Sequence, residues 1–168
     1  MTETPFVRAL QQCSLHSLIL LTTKALGRSG FGDVQILDRR QSKQRSRYGG
    51  HELECRVIVG TLPMKVIVKV INDSVRVRML DELAGAVVRT KADLGLIVTP
   101  HHVTANAARH QGTYRGARVE IMDGKKLSDL LLHIKVGIRP YGDVDYAFFE
   151  ALEEVSQRML AFIAANSL

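Results

Sequence analysis

Residues 64–70, Met-Lys-Val-Ile-Val-Lys-Val, alternate as a β-strand does. Successive side chains in a strand point to opposite faces, so Met64, Val66, Val68 and Val70 share one face and Lys65, Ile67 and Lys69 the other. The first face is pure core. The second places two cations around one isoleucine, a costly arrangement unless something anionic or solvated meets them. Upstream, residues 51–59 repeat the alternation, and Gly60-Thr61 fits a two-residue hairpin turn. Pairing Val59 with Leu62 then sets Arg56 opposite Lys65, Glu54 opposite Ile67 and Glu52 opposite Lys69. The same register puts Leu53, Cys55, Val57 and Val59 on the apolar face, so the hydrophobic pattern supports it independently of the turn.

Helical spacing of apolar positions predicts one helix over 5–26, opened by Pro5 and closed by Gly27, Gly30 and Gly32. A strand over 33–38 follows. Asp73 or Ser74 is expected to cap a helix reaching about Lys91, with Leu80, Leu83 and Val87 on successive turns. Beyond it the pattern predicts a strand over 94–99, a short helix over 104–111, a strand over 117–122 and a helix over 124–134. The last element, 144–165, carries Phe148, Leu152, Val155, Met159 and Phe162 at 4-3-4-3 spacing. Its apolar face suits either packing on its own domain or pairing with a second copy as a dimer. Three antiparallel strands followed by αβαβα predict an α/β three-layer sandwich: a mixed central sheet with helices on both faces. The expected division is a main domain over 1–140, including the N-terminal helix, and a C-terminal amphipathic helix over 141–168.

The chain has 168 residues, 46% hydrophobic and 24% charged, the composition of an ordinary globular domain. The apolar run 15–21 contains His16 and Ser17 and is too short to span a bilayer. With no basic n-region or small-residue cleavage site, no secretory signal is expected. Cys13 and Cys55 have no CxxC spacing and read as small apolar residues in a reducing compartment. The expected location is therefore the cytoplasm.

Net charge is +6, and Arg39, Arg40, Lys43, Arg45 and Arg47 supply +5 of it in a stretch with no acid. The excess thus sits in one place, as a footprint for a polyanion would, although a solvated loop tip has the same composition. No apolar helical face accompanies the cluster, which argues against membrane binding. Other chemistries lack support. The glycines at 27–32 follow a helix and precede a strand, the reverse of a dinucleotide loop. His16, His51, His110 and His133 share no metal-ligand spacing with acids or cysteines, and no GxSxG elbow is present. His101-His102, after a strand and before a helix, suits contact with a ligand or phosphate, or an exposed loop pair.

Glu52 beside Lys69 on neighbouring strands has the layout of a PD-(D/E)xK nuclease, although cross-strand Glu–Lys pairs are also common structural features. The surrounding order is more specific. Gly49-Gly50 before the acid, Val68-Lys69 ending the strand, Leu83-Ala84-Gly85-Ala86 in the next helix and Leu96-Ile97-Val98-Thr99-Pro100 follow one another. Ile121-Met122-Asp123-Gly124-Lys125-Lys126-Leu127 and Val136-Gly137 close the series. Over about two thirds of its length the chain resembles the Mrr-type restriction endonuclease family. The resemblance implies a hydrolase fold that engages DNA; together with the charge pattern, the expected contacts to double-stranded DNA are residues 39–47 and the polar hairpin face with Arg56 and Lys65. It puts Glu52 in place of the family's metal-binding aspartate and Lys69 in place of its lysine. Ile67 stands where the family has glutamate or glutamine, and isoleucine offers no oxygen to a hard cation.

Three readings follow. In the first, the fold binds DNA with nuclease activity lost or altered. In the second, Glu54 lends the missing carboxylate, Glu52 and Glu54 hold Mg²⁺, and Lys69 assists the attacking water of a metal-dependent endonuclease. In the third, the chain is a non-catalytic module that binds RNA or an acidic protein.

Overall fold

The structure, a computed structural model, describes residues 3–36 and 53–165, without the side chains of 163 and 164. The chain opens with helices α1 (Pro5–Gln11) and α2 (Leu15–Arg28). Strands β1 (Gly32–Ile36), β2 (Leu53–Val59) and β3 (Leu62–Val70) follow. Helix α3 (Val77–Thr90) leads to β4 (Leu94–Val98), and α4 (Ala105–His110) to β5 (Val119–Met122). Helices α5 (Gly124–His133) and α6 (Tyr146–Ala165) complete the described chain. The sheet runs in chain order, antiparallel from β1 to β3 and parallel from β3 to β5.

The hairpin register is the one the alternation predicts. Val59 pairs with Leu62, Arg56 with Lys65, Glu54 with Ile67 and Leu53 with Val68. Gly60 holds the turn at φ 64°, a left-handed conformation that favours glycine. Leu53, Cys55, Val66, Val68, Val70, Leu96 and Val98 face a core shared with α1, α2, α5 and α6. On the other face Ile67, Ile97, Val119 and Ile121 pack beneath α3 and α4. The three-layer sandwich is therefore as expected.

Three local expectations are corrected. The single helix over 5–26 is two. Ser14 sits in extended backbone, and its Oγ accepts from the Ser17 N–H at 3.2 Å to start α2. The Ser14 N–H donates to the Glu153 carboxylate on α6 at 3.2 Å, so it is unavailable to a continuous helix. The helix expected to start after Asp73 or Ser74 starts after Arg76. The intervening chain is held by the β4–α4 loop: Val75 N donates to the His102 carbonyl, and Thr104 N to the Val75 carbonyl, each at 3.1 Å.

Finally, the second hairpin face is not an open polar surface. Helix α3 lies on it, and Ile67 is 0% exposed. A Cβ on Gly95, the β4 neighbour of Ile67, would lie 2.7 Å from the Val87 side chain and 2.8 Å from that of Leu83. The absence of that carbon lets α3 settle onto the sheet.

Helix α6 divides lengthwise. Phe149 is buried edge-on to Phe6, with ring centroids 5.7 Å apart, and Glu153 reaches the Ser17 hydroxyl at 2.6 Å. Further along, Val155 and Met159 are exposed.

Candidate functional site

Of the candidate site residues that the structure describes, Lys69 lies where β3 ends and β2 begins. In open α/β sheets this carboxyl end of the parallel strands is where loops and helix starts converge. Lys69 lies one residue before the end of β3. Ile36 pairs with Leu53, and Leu53 with Val68, so the chain leaves β1 and enters β2 at the same end as Lys69. Arg39, Arg40, Lys43, Arg45, Arg47 and Glu52 belong to the intervening segment and lie outside the described residues.

Lys69 meets an acid that the strand pattern does not reveal. Its Nζ lies 2.8 Å from Glu82 Oε2, on the second turn of α3, and its side chain is only 13% exposed. The other oxygen of Glu82 accepts from Arg78 Nε at 3.0 Å. The hydrogen bond from Lys69, reinforced by both nearby positive charges against a cost of burial, holds the Glu82 carboxyl below the usual carboxylate range. A cue to Glu82 was present: a β–α–β crossover brings the N-terminal half of its helix back over the end of the first strand. Leu80 and Leu83 face the core, which leaves Glu82 on the flank.

Elsewhere on this face, Lys65 is half-buried. Its ammonium donates to the Thr90 carbonyl at 3.2 Å and lies 3.9 Å from the carboxylate of Glu54. Glu54 shares the register of Ile67, as deduced, yet its carboxylate is beside Lys65. Arg56 is exposed at the outer part of the hairpin. Along the carboxyl edge, His101 Nε2 lies 3.0 Å from Asn72 Oδ1, and His102 Nδ1 3.3 Å from Ser74 Oγ. Both histidines thus serve to tie the β3–α3 and β4–α4 loops together.

The donor set tests the divalent cation that the resemblance implies. Among the described residues, no three acids, histidines or cysteines converge as a metal group. Ile67 contributes no donor, Glu82 is bound by two cations, and Glu54 lies beside Lys65. The described residues do not fit a metal centre. A separate groove of about 540 Å³, lined by Pro5, Phe6, Asp129, Arg139 and Tyr146, lies on the α1–α5 side of the sheet and does not include Lys69.

A mixed five-stranded sheet flanked by helices, with a lysine ending the inner hairpin strand, is the frame of a restriction-endonuclease-like α/β fold. The model of the Mrr catalytic-domain family, described as restriction endonuclease, matches residues 10–131, and the chain belongs to that family. Among solved structures it is similar to the MspJI restriction endonuclease in complex with a 27-mer oligonucleotide. There the TM-score is 0.57 at 17% identity, over 83% of this chain and 32% of that one. It is also similar to AspBHI, a DNA modification-dependent restriction endonuclease, with a TM-score of 0.61 at 14% identity over 95% of this chain and 41% of that one. The chain thus spans 32% and 41% of the length of these structures. No curated protein matches it. Among the described residues, no helix is long and apolar enough to cross a membrane.

Proposed function

We propose that this chain is a DNA-binding member of the restriction endonuclease family whose hydrolytic activity is lost or altered. The observation that carries this reading is Ile67. It stands where the resemblance expects a metal ligand, and it is wholly buried among Leu80, Leu83 and Val87. Double-stranded DNA is the partner best supported by the family, by the basic residues 39–47 and by the position of that segment's flanks beside Lys69. Cys13 and Cys55 are buried and free, which suits the cytoplasm. Exposed Val155 and Met159 support pairing of α6 between two copies, and a Met159→Lys change is expected to lower the sedimenting mass if they pair.

Incubation of plasmid with the protein and Mg²⁺ or Mn²⁺, beside a Lys69→Ala control, tests the chemistry. No cleavage by either protein is expected. Cleavage abolished by Lys69→Ala would instead support the active reading, in which Glu54, in register with Ile67, joins Glu52. Cleavage that survives the change would remove Lys69 from the site. For binding, four or five phosphate contacts give a log K against log salt slope of about −4. A flat dependence, or one unmoved by neutralising Arg39, Arg40, Lys43, Arg45 and Arg47, would reject the basic segment as the contact.

A further inference from the structure

Two cations from different elements converge on one carboxylate at the edge assigned to DNA. Lys69, at the end of β3, donates to one oxygen of Glu82, and Arg78, on the first turn of α3, donates to the other. The lysine is largely removed from water, whereas the arginine is 88% exposed at its side chain. A phosphodiester offers the same pattern as a carboxylate: two equivalent oxygens sharing one negative charge, each able to accept from a separate cation. With Glu82 in place the three groups carry +1. A phosphate arriving there would need that carboxylate to give up both donors. We propose that Lys69 and Arg78 form a phosphodiester subsite that Glu82, one turn beyond Arg78 on α3, occupies in the free protein. The subsite rests on the DNA reading for its partner, while its geometry is independent of whether cleavage occurs.

The Glu82 side chain is held at one end by a strand and at the other by its own helix, so it acts as a tethered competitor at high effective concentration. Nothing else anionic touches Lys69 among the described contacts, and Asp73, the neighbouring acid of this loop, is paired with Arg76 at 3.4 Å. Replacing the carboxylate with an amide of the same shape keeps a partner for Lys69 but removes the competing charge.

Fluorescence anisotropy of a labelled duplex tests the subsite with Glu82→Gln and, as a second variant, Glu82→Ala. Thermal melting verifies that both are folded. Each is expected to bind about tenfold more tightly than the parent, with a salt slope steeper by about one to two counterions. Glu150→Gln, an equal charge change at an exposed position on α6, reads the general effect of net charge. The gain is expected to exceed that of Glu150→Gln and to vanish in Lys69→Ala/Glu82→Gln. An unchanged or weaker affinity for Glu82→Gln, a gain no larger than that of Glu150→Gln, or a gain that survives loss of Lys69 would overturn the proposal. If no variant binds duplex, the DNA reading fails, and inorganic phosphate decides the subsite through the Lys69 ε-carbon resonance. Phosphate that shifts this resonance in Glu82→Gln and not in the parent supports the subsite, and phosphate that shifts it in neither overturns it.

Discussion

Ile67→Glu restores the residue type that the resemblance expects, and the structure predicts that the protein will not accept it. Ile67 is 0% exposed and packs with Leu80, Leu83, Ala84, Val87 and Ile97. Both cations that flank it on this face already have partners: Lys69 has Glu82 at 2.8 Å, and Lys65 has the Thr90 carbonyl at 3.2 Å. Losing the buried isoleucine costs about 1.5–3 kcal/mol. A carboxyl placed there is pushed upward by burial, and a rise of about three units costs about 4 kcal/mol once the solution is well above the folded value. Together these approach about 6 kcal/mol, a large part of the roughly 5–15 kcal/mol that stabilises a domain. The sign follows from linkage. With a folded pKa above the unfolded one, the ionisation penalty is absent below the ordinary glutamate value of about 4.3, grows as pH rises from there to the raised folded value, and is constant above it. Urea unfolding at pH 4.5 and 7.5, beside the non-titrating Ile67→Gln, measures both parts. The expected result is a penalty for Ile67→Glu that is several kcal/mol larger at the higher pH, with no such change for Ile67→Gln beyond that of the parent. Matching penalties for the two variants at both values would refute the reasoning. They would mean that the new carboxylate reaches Lys69 or water, so that the slot can host a ligand.

Other consequences are more local. A Cβ on Gly124 would lie 2.1 Å from the Pro100 carbonyl oxygen and 2.8 Å from its carbon, both backbone atoms. Gly124→Ala is therefore expected to cost about 3 kcal/mol in urea unfolding, and an unchanged midpoint would refute the close approach. Burial, aided at Cys13 by the nearby Glu153 charge, pushes both thiols up to about 11. Ellman's reagent at pH 8 should react with both only after denaturation, and rapid native labelling would contradict the packing. Burial tends to raise the Glu153 carboxyl, but hydrogen bonds from Ser17, Ser14 and Gln157 prevail and lower it. Its contribution is present above the ordinary value of 4.5 and lost as pH falls through the lowered one. Glu153→Gln should accordingly lose less stability than the parent between pH 6 and pH 3, and parallel acid limbs would refute the link between α6 and α2.

The sheet was legible because its decisive information is local. Gly60 and the alternation on either side fix every described pair from Val59–Leu62 to Leu53–Val68 within sixteen residues. The break at Ser14 was not, because half of its cause is Glu153, 139 residues away. Glu82 was legible only in part for a related reason: the crossover and the periodicity put it on the flank of α3, but they do not tell which strand residue that flank will meet. The same helix explains why a buried surface reads as polar. Along Lys65, Ile67 and Lys69, α3 covers the middle side chain completely and the two lysines in part. Its C-terminal carbonyl at Thr90 receives Lys65, and Glu82 near its start receives Lys69. Each lysine buries its stem and carries its charge to the margin of the helix's footprint. The lysine–isoleucine–lysine row thus functions first as a dock for α3, pinned at both ends and apolar between. Lys69 thus has a structural partner within the chain itself. The proposed phosphate subsite therefore turns on how readily Lys69 exchanges Glu82 for a phosphate.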